Sequence, residues 1–235
     1  MAGIKSLVKD TAVYGLSSIV GRFLNWGLVP LYTYLFSEAD YGIVSYLYAI
    51  VAVVIVVLNY GMETGFFRYA GKEDDYERVY STCMLSVAST SLIFIALVAE
   101  FLHPLSDALK LPHHPWYVLM MAVTVAVDAF TNIPFAYLRF RRKAWTFAAI
   151  KLTNIGVNIG LNLFFLLACP KIQEAAPRLI SWFYEPLGGA AFSVGWIFLA
   201  NVISTLVVLL CLVPWMRVKR FVVDSRLLLD MLSYS

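Results

Sequence analysis

A stripe of polar residues runs through an otherwise apolar stretch near the N-terminus. Its members follow one another at intervals of four, four and three residues: Tyr14, Ser18, Arg22 and Asn25. This spacing places them on one face of an α-helix. A charge in hydrocarbon costs about 2.5–3.5 kcal/mol on insertion scales, so such a face is expected to turn toward protein or water. Arg22 and Asn25 are therefore candidates for binding an anionic headgroup, and a structural ion pair at Arg22 is the alternative.

A second stripe combines one lysine with three asparagines at helical spacing: Lys151, Asn154, Asn158 and Asn162. Amide side chains in lipid either line a polar cavity or hydrogen-bond between helices, and both readings stay open here. Gly156 and Gly160, four residues apart, would allow a neighbouring helix to pack closely. We take Lys151, Asn154 and Asn158 as candidate substrate-binding residues.

Asp128 is the deepest acidic residue of the apolar runs and shares a helix face with Thr124 and Asn132. Two roles suit a carboxylate at this depth. It either neutralises Arg22 in an ion pair or relays a proton or sodium ion, and the sequence does not choose between them.

These residues belong to six apolar runs, each long enough to cross a bilayer, which takes about 20 residues. The predicted spans are Thr11–Leu35, Gly42–Phe67, Ser81–Leu102, Trp116–Leu138, Trp145–Ala168 and Gly189–Val213. Of the 235 residues, 61% are hydrophobic and only 14% are charged, with a mean hydropathy of +0.77. A spanning backbone must satisfy its own hydrogen bonds, and the runs lack the alternation of a barrel strand. The sequence therefore predicts an all-α integral membrane protein with about six transmembrane helices.

The basic residues outside the spans predict the orientation. Thirteen lysines and arginines fall in the N-terminal arm, the second-to-third and fourth-to-fifth connections and the tail, against three in the other connections. Loops rich in lysine and arginine stay in the cytoplasm. Both termini are therefore expected on the cytoplasmic side of a multi-pass protein of the cell (inner or plasma) membrane.

Several classes of function find no support in the sequence. There is no phosphate-binding G-x-x-x-x-G-K-[ST] loop, and His103, His113 and His114 lack the spacing and companions of a metal site. Neither a nucleophilic triad nor a paired-carboxylate arrangement is visible. The three cysteines are interpreted as packing residues, and the basic run 139–143 as a topology signal rather than a nucleic-acid site. We expect no enzyme activity, no cofactor and no metal.

The chain is predicted to change character after Pro214. Residues 221–235 have the pattern of an amphipathic helix, and Asp230 and Tyr234 repeat the spacing of Asp10 and Tyr14 at the start of the first span. Transporters are often built from repeated halves. We therefore expect residues 1–213 to form one six-helix bundle and residues 214–235 to be a cytoplasmic amphipathic linker to a second lobe.

Three sequence stretches resemble one transporter family. They are PLYTYLFSEADYG at 30–42, GMETGFFR at 61–68 and PFAYLRFRRK at 134–143. Their order and spacing are similar to the polysaccharide-exporter branch of the multidrug/oligosaccharidyl-lipid/polysaccharide flippase superfamily. The resemblance runs over the whole chain and is most specific in its first third.

The resemblance implies two helical lobes around a central cavity that opens alternately to each side, with this chain as the N-terminal lobe. It implies a substrate made of a sugar chain on a polyprenyl pyrophosphate, held by cationic cavity residues, to which Arg22 and Lys151 correspond. The predicted function is therefore export of a lipid-linked oligosaccharide from the cytoplasmic to the outer leaflet for surface polysaccharide biosynthesis. The partners would be that substrate, membrane lipid and other membrane proteins of glycan assembly, and not nucleic acid.

Two alternatives remain from the sequence. A cation-coupled drug antiporter of the same superfamily would use acidic and aromatic cavity residues, of which Asp128 is the one deep acid. A non-transporting scaffold for glycan assembly would need Arg22 for folding rather than for export.

Overall fold

The computed structural model describes residues 11–17, 19–20, 23–24, 26–71, 76–217 and 224–234. This part of the chain is helical with short connecting turns and contains no β-strand. Its α-helices are α1 (Val29–Leu35), α2 (Glu38–Asn59), α3 (Met62–Ala70), α4 (Tyr76–Glu100), α5 (Leu102–Ala108), α6 (Pro115–Phe140), α7 (Ala144–Leu163), α8 (Cys169–Ala175), α9 (Ser181–Tyr184), α10 (Gly195–Leu212) and α11 (Ser225–Tyr234). A π-helix, Phe164–Ala168, joins α7 to α8, and short 3₁₀ turns cover Pro177–Leu179, Gly189–Phe192 and Val213–Trp215.

Five helical segments of the described chain are long and apolar enough to cross a membrane. They are Glu38–Ala70, Tyr76–Glu100, Pro115–Phe140, Ala144–Ala175 and Gly195–Trp215, and they correspond to the second to sixth predicted spans. The first predicted span falls partly outside the described residues, and α1 is its last part. The protein is thus an all-α integral membrane protein, as the sequence predicts.

The second predicted span is interrupted near one end. Tyr60 (φ 30°) and Gly61 (φ 70°) both adopt left-handed backbone conformations, which end α2 and begin α3. The sequence predicts one uninterrupted helix over this run. At the interruption the Tyr60 N–H donates to the Val56 carbonyl and so satisfies a helix-end acceptor, and Asn59 Nδ2 donates to the Ile55 carbonyl at 2.8 Å.

The fifth and sixth spans also differ from prediction at one end each. The fifth continues past Ala168, where the π-helix ends, through α8 to Ala175. The sixth begins at Gly195, because Gly189–Phe192 form a 3₁₀ turn and the backbone has positive φ at Gly188, Gly189 and Ser193.

Helix α6 lies at the centre of the bundle and packs against α2, α4, α7 and α10. It is the most buried of the five spanning segments, and small side chains allow the close approach: Ala126, Ala129 and Ala136 are fully buried. By contrast α2 leaves Val53, Val56 and Val57 about two-thirds exposed. An apolar face of this kind suits contact with lipid.

The bundle has two distinguishable ends. The basic end holds the start of α4, the turn from α6 to α7 and the region after α10. There an Arg141 nitrogen donates to the Tyr76 hydroxyl at 2.9 Å, and the Tyr80 hydroxyl donates to the Trp215 carbonyl at 3.0 Å. The far end holds the turn from α1 to α2, helix α5 and the segment from α8 to the start of α10, where Tyr117 of α6 donates to the Phe192 carbonyl at 2.8 Å.

Helix α11 packs on the basic end. Its apolar face buries Met231 completely and Leu227 almost completely against α3 and α4. Arg78 of α4 forms an ion pair with Asp224, whose carboxylate also accepts from the backbone N–H groups of Arg226 and Leu227 at 3.0 and 3.2 Å. This is the amphipathic helix that the sequence predicts, beginning at Ser225 rather than at Phe221.

Candidate functional site

Helix α2 presents three hydroxyl groups along one face toward the neighbouring helices. Ser37 caps the helix by accepting from the Asp40 N–H at 3.1 Å, and the acidic first turn suits the positive end of the helix dipole. From this fixed start, Tyr41, Ser45 and Tyr48 recur at four and three residues. They therefore share one helix face.

The asparagine stripe of α7 binds the first span through Tyr32. The Tyr32 hydroxyl of α1 donates to Asn162 Oδ1 at 2.9 Å, and Asn162 is fully buried. Asn162 Nδ2 in turn donates to the Asn158 carbonyl at 2.8 Å and contacts Asn158 Oδ1 at 3.2 Å. The stripe thus hydrogen-bonds between helices at its Asn162 end.

Asn158 connects this pair to α10 and then to α2. Its Nδ2 donates to Asn201 Oδ1 at 2.9 Å and lies 3.3 Å from the Ser204 hydroxyl. Asn201 Nδ2 donates to the Tyr48 hydroxyl and also to the Ile197 carbonyl at 3.0 Å. One continuous chain of hydrogen bonds therefore joins α1, α7, α10 and α2.

A cavity of about 370 Å³ opens beside this network. We call it the tyrosine–asparagine cavity. The described residues that line it are all uncharged: Leu28, Val29, Tyr32, Tyr41, Val44, Ser45, Tyr48, Asn158 and Asn201. The volume falls within the roughly 300–1,000 Å³ typical of small-molecule sites, and a few convergent polar groups on an apolar wall are also typical of such sites.

Asp128 of α6 lies next to the network. The Thr205 hydroxyl of α10 donates to Asp128 Oδ1 at 3.1 Å, and Thr205 directly follows Ser204 of the network. Asp128 is partly exposed and is not among the lining residues of the tyrosine–asparagine cavity. Arg22, the ion-pair partner that the sequence offers for Asp128, lies outside the described residues.

Lys151 sits two helical turns from Asn158 toward the basic end. Its Nζ lies 4.1 Å from the centroid of the Phe135 ring, a cation–π contact. In the described part of the chain no carboxylate oxygen comes within 4.0 Å of that ammonium group. Asn154, one turn away, is half-buried and has no hydrogen-bond partner among the described residues.

Two predicted site residues, Arg22 and Asn25, lie outside the described residues. Residues on either side of them contact α7: Tyr14 meets Phe147 edge to face at 5.1 Å, and Tyr32 bonds to Asn162.

A second polar cluster lies at the basic end, close to the interruption between α2 and α3. Arg139 of α6 forms an ion pair with Glu63 of α3 at 2.5 Å, and its guanidinium also lies over the Phe67 ring at 5.4 Å. About two helical turns further along α6 from the basic end, Asn132 Nδ2 donates to Asn59 Oδ1 at 3.0 Å. These contacts fix the interrupted span to α6.

Sequence reasoning missed the residues of α10 that complete the network. The most apolar span contains three polar residues at helical spacing: Ser204 and Thr205 follow Asn201 by three and four positions. This spacing predicts a polar helix face. Nothing in the positions of Tyr32 and Tyr41 along the chain indicates that they line one cavity with Asn158 and Asn201.

A comparison with models of known protein families identifies the family of this chain. A family model described as "Polysaccharide biosynthesis protein" matches residues 33–170, more than half of the chain. The chain belongs to this family. The matched range runs from α1 into α8 and includes Asp128, Lys151 and the asparagine stripe. Neither the curated proteins nor the solved structures contain a match.

Proposed function

We propose that this member of the polysaccharide biosynthesis family moves a polyprenyl-pyrophosphate-linked oligosaccharide from the cytoplasmic to the outer leaflet of the plasma membrane. Membership of the polysaccharide biosynthesis family and the multi-pass helical bundle support this proposal. A hydrophilic sugar chain cannot cross hydrocarbon unaided, because its hydroxyl groups would lose their hydrogen bonds to water. A membrane protein without soluble domains in its described part suits that step.

The observation that carries the proposal is the environment of Lys151. Its ammonium group lies over the Phe135 ring in a spanning helix, and no carboxylate among the described residues forms an ion pair with it. Asp128 and Glu63 interact with it electrostatically from beyond 4.0 Å. Because no carboxylate occupies the hydrogen-bonding positions of the ammonium group, these positions are suited to binding an anion. The pyrophosphate of the lipid carrier is such an anion, and Arg22, on the sequence stripe of the first span, is its proposed second ligand.

The remaining steps of the proposal follow from the membrane setting. The polyprenyl tail stays in the bilayer while the headgroup moves within the protein, by alternating access between two lobes of which this bundle is one. Asp128, bonded to Thr205, is the proposed site of ion coupling. Both termini are proposed to face the cytoplasm, because the basic end carries the excess of arginine.

Complementation of a deletion strain tests the role of Lys151. Lys151→Ala in the full gene product is expected to lose most surface polysaccharide, whereas Lys151→Arg keeps part of it because the charge remains. Lys171→Ala is the matched control, since Lys171 is an exposed lysine of the fifth span outside the bundle interior. Protein amounts in the membrane are measured alongside.

Three results would contradict the proposal. Full polysaccharide export by Lys151→Ala would show that the cation has no part in transport. Loss of membrane protein in step with loss of polysaccharide would favour the scaffold, and altered drug susceptibility with normal polysaccharide would favour the drug antiporter.

A further inference from the structure

The tyrosine–asparagine cavity holds hydroxyl groups with unused hydrogen-bonding capacity. Tyr48 accepts from Asn201, which leaves the proton of Tyr48 without an acceptor among the described residues. The side chains of Tyr41 and Ser45 form no hydrogen bond with any described residue. Tyr41 and Ser45 can therefore each donate and accept toward a ligand, and Tyr48 can donate to one.

The amides behind these hydroxyl groups are already committed to one another. Both N–H groups of Asn201 are used, one on Tyr48 and one on the Ile197 carbonyl. Asn158 likewise gives its amide group to Asn201 and Ser204. Because the network fixes Tyr48 from behind, the cavity is arranged before a ligand arrives, and prearranged groups bind at lower entropic cost.

We propose that the tyrosine–asparagine cavity binds an uncharged sugar ring of the transported oligosaccharide. This inference rests on the proposed function and names the part of the substrate that the cavity recognises. A sugar ring presents hydroxyl groups that donate and accept, together with an apolar C–H face. Those hydroxyl groups match Tyr41, Ser45 and Tyr48, and the C–H face matches the tyrosine rings and Val44.

Other ligand classes fit the lining less well. A pyrophosphate requires cationic groups, and the described lining residues carry no charge. A cationic drug requires a carboxylate, and Asp128 is not among the described lining residues. An acyl chain would leave the hydroxyl protons of Tyr41, Ser45 and Tyr48 facing hydrocarbon, and each polar group buried without a partner costs free energy. The cavity is thus assigned to the sugar, and Lys151 to the pyrophosphate.

Binding to two lipid probes separates these assignments. The purified full gene product in detergent is titrated with lipid-linked glycan extracted from the deletion strain, and with polyprenyl pyrophosphate that carries no sugar. Ser45→Phe fills the cavity without removing a described hydrogen bond. Tyr48→Phe keeps the ring and removes only the hydroxyl group. Tyr34→Phe is the control, because Tyr34 is 86% exposed and lies outside the cavity.

The wild-type protein is expected to bind the glycan-bearing lipid more tightly than the sugar-free lipid. Ser45→Phe should abolish that difference, and Tyr48→Phe should reduce glycan affinity by about 3- to 10-fold, the usual effect of one neutral hydrogen bond. Both variants should bind sugar-free lipid as the wild type does, which also shows that they are folded. Tyr34→Phe should match the wild type with both probes.

Three results would overturn the inference in distinguishable ways. Unchanged glycan binding by Ser45→Phe would show that no sugar enters the cavity. Equal losses for both probes in Ser45→Phe and Tyr48→Phe would show that the cavity does not act through the sugar, while the proposed function stands. Failure of the wild-type protein to bind either lipid would remove the proposed function itself, and the inference with it.

Discussion

At the scale of single residues, the polar side chains of the spans fall into two groups. Asn162, Asn158 and Asn201 use their amides on one another and on tyrosines, so each is satisfied inside the bundle. Lys151 has the Phe135 ring 4.1 Å from its ammonium group, and the described carboxylates of Asp128 and Glu63 act on it only from beyond ion-pair distance. The first group is suited to holding helices together, and Lys151 is suited to binding an external anion.

Replacement of Asn162 tests the structural role of the amides. Asn162→Leu leaves the Tyr32 hydroxyl without its acceptor, and the free energy of unfolding should fall by about 0.6–2 kcal/mol, the usual range for a hydrogen bond between membrane helices. Asn154→Leu, at a half-buried position of the same stripe with no described partner, should change it by less. Thermal unfolding in detergent measures both. Equal destabilisation by the two variants would show that the Tyr32–Asn162 bond contributes little.

At the scale of elements, the interruption between α2 and α3 sets the shape of the basic end. The chain turns at Tyr60 and Gly61, and contacts on both sides hold the turn: Asn59 with Asn132, and Glu63 with Arg139. Without the turn, α3 could not direct Glu63 toward α6 while α2 remains lipid-facing.

Gly61→Ala should destabilise the protein by about 1–2 kcal/mol, the cost of a side chain in the left-handed conformation. Gly42→Ala is the control inside α2, where a Cβ meets nothing within 4 Å. There alanine should be neutral or stabilising by up to about 1 kcal/mol, because it favours the helix. Thermal unfolding in detergent measures the stability of both variants. If the Gly61→Ala protein is as stable as the Gly42→Ala protein, the left-handed conformation at Gly61 is contradicted.

The Asp224 carboxylate both caps helix α11 and pairs it with α4, in addition to the apolar contacts of Met231 and Leu227. Asp224→Ala removes the ion pair with Arg78 and the cap of α11 together. Hydrogen exchange of amides 226–234 should therefore become faster, with the rest of the bundle unchanged. Asp230→Asn is the control, because the described bonds of Asp230 are made by its backbone carbonyl. Unchanged exchange in Asp224→Ala would mean that Met231 and Leu227 alone hold the helix.

At the scale of the whole molecule, the sequence predicts most of the fold and part of the site. Five spans were recognisable because apolar length is a local property that the bilayer imposes directly. The tyrosine–asparagine cavity could not be recognised from the sequence, because it depends on which helices are neighbours in the bundle. The asparagine stripe was visible on α7, but its partners Tyr48 and Asn201 are 110 and 43 positions away from Asn158. The turn at Tyr60 escaped prediction because tyrosine rarely adopts a positive φ.

The proposed orientation predicts which end of the helical bundle can be reached by a reagent from outside the cell. In a background of Cys211→Ser, which removes the exposed native thiol, Lys143→Cys at the basic end should react with a membrane-impermeant maleimide only after the cells are opened. Arg178→Cys at the far end should react in intact cells, because both side chains are exposed but on opposite sides. The reverse pattern would invert the proposed topology.

The central claim, that this protein moves a lipid-linked glycan between leaflets, is tested most directly by the location of that lipid in cells. The measurement is the fraction of lipid-linked glycan accessible at the outer leaflet in a strain that lacks the gene, before and after the gene is re-expressed. The account predicts accumulation on the cytoplasmic leaflet, reversed by the wild-type gene and not by Lys151→Ala. A normal outer-leaflet fraction in the deletion strain, with no second protein of this family present, would contradict it.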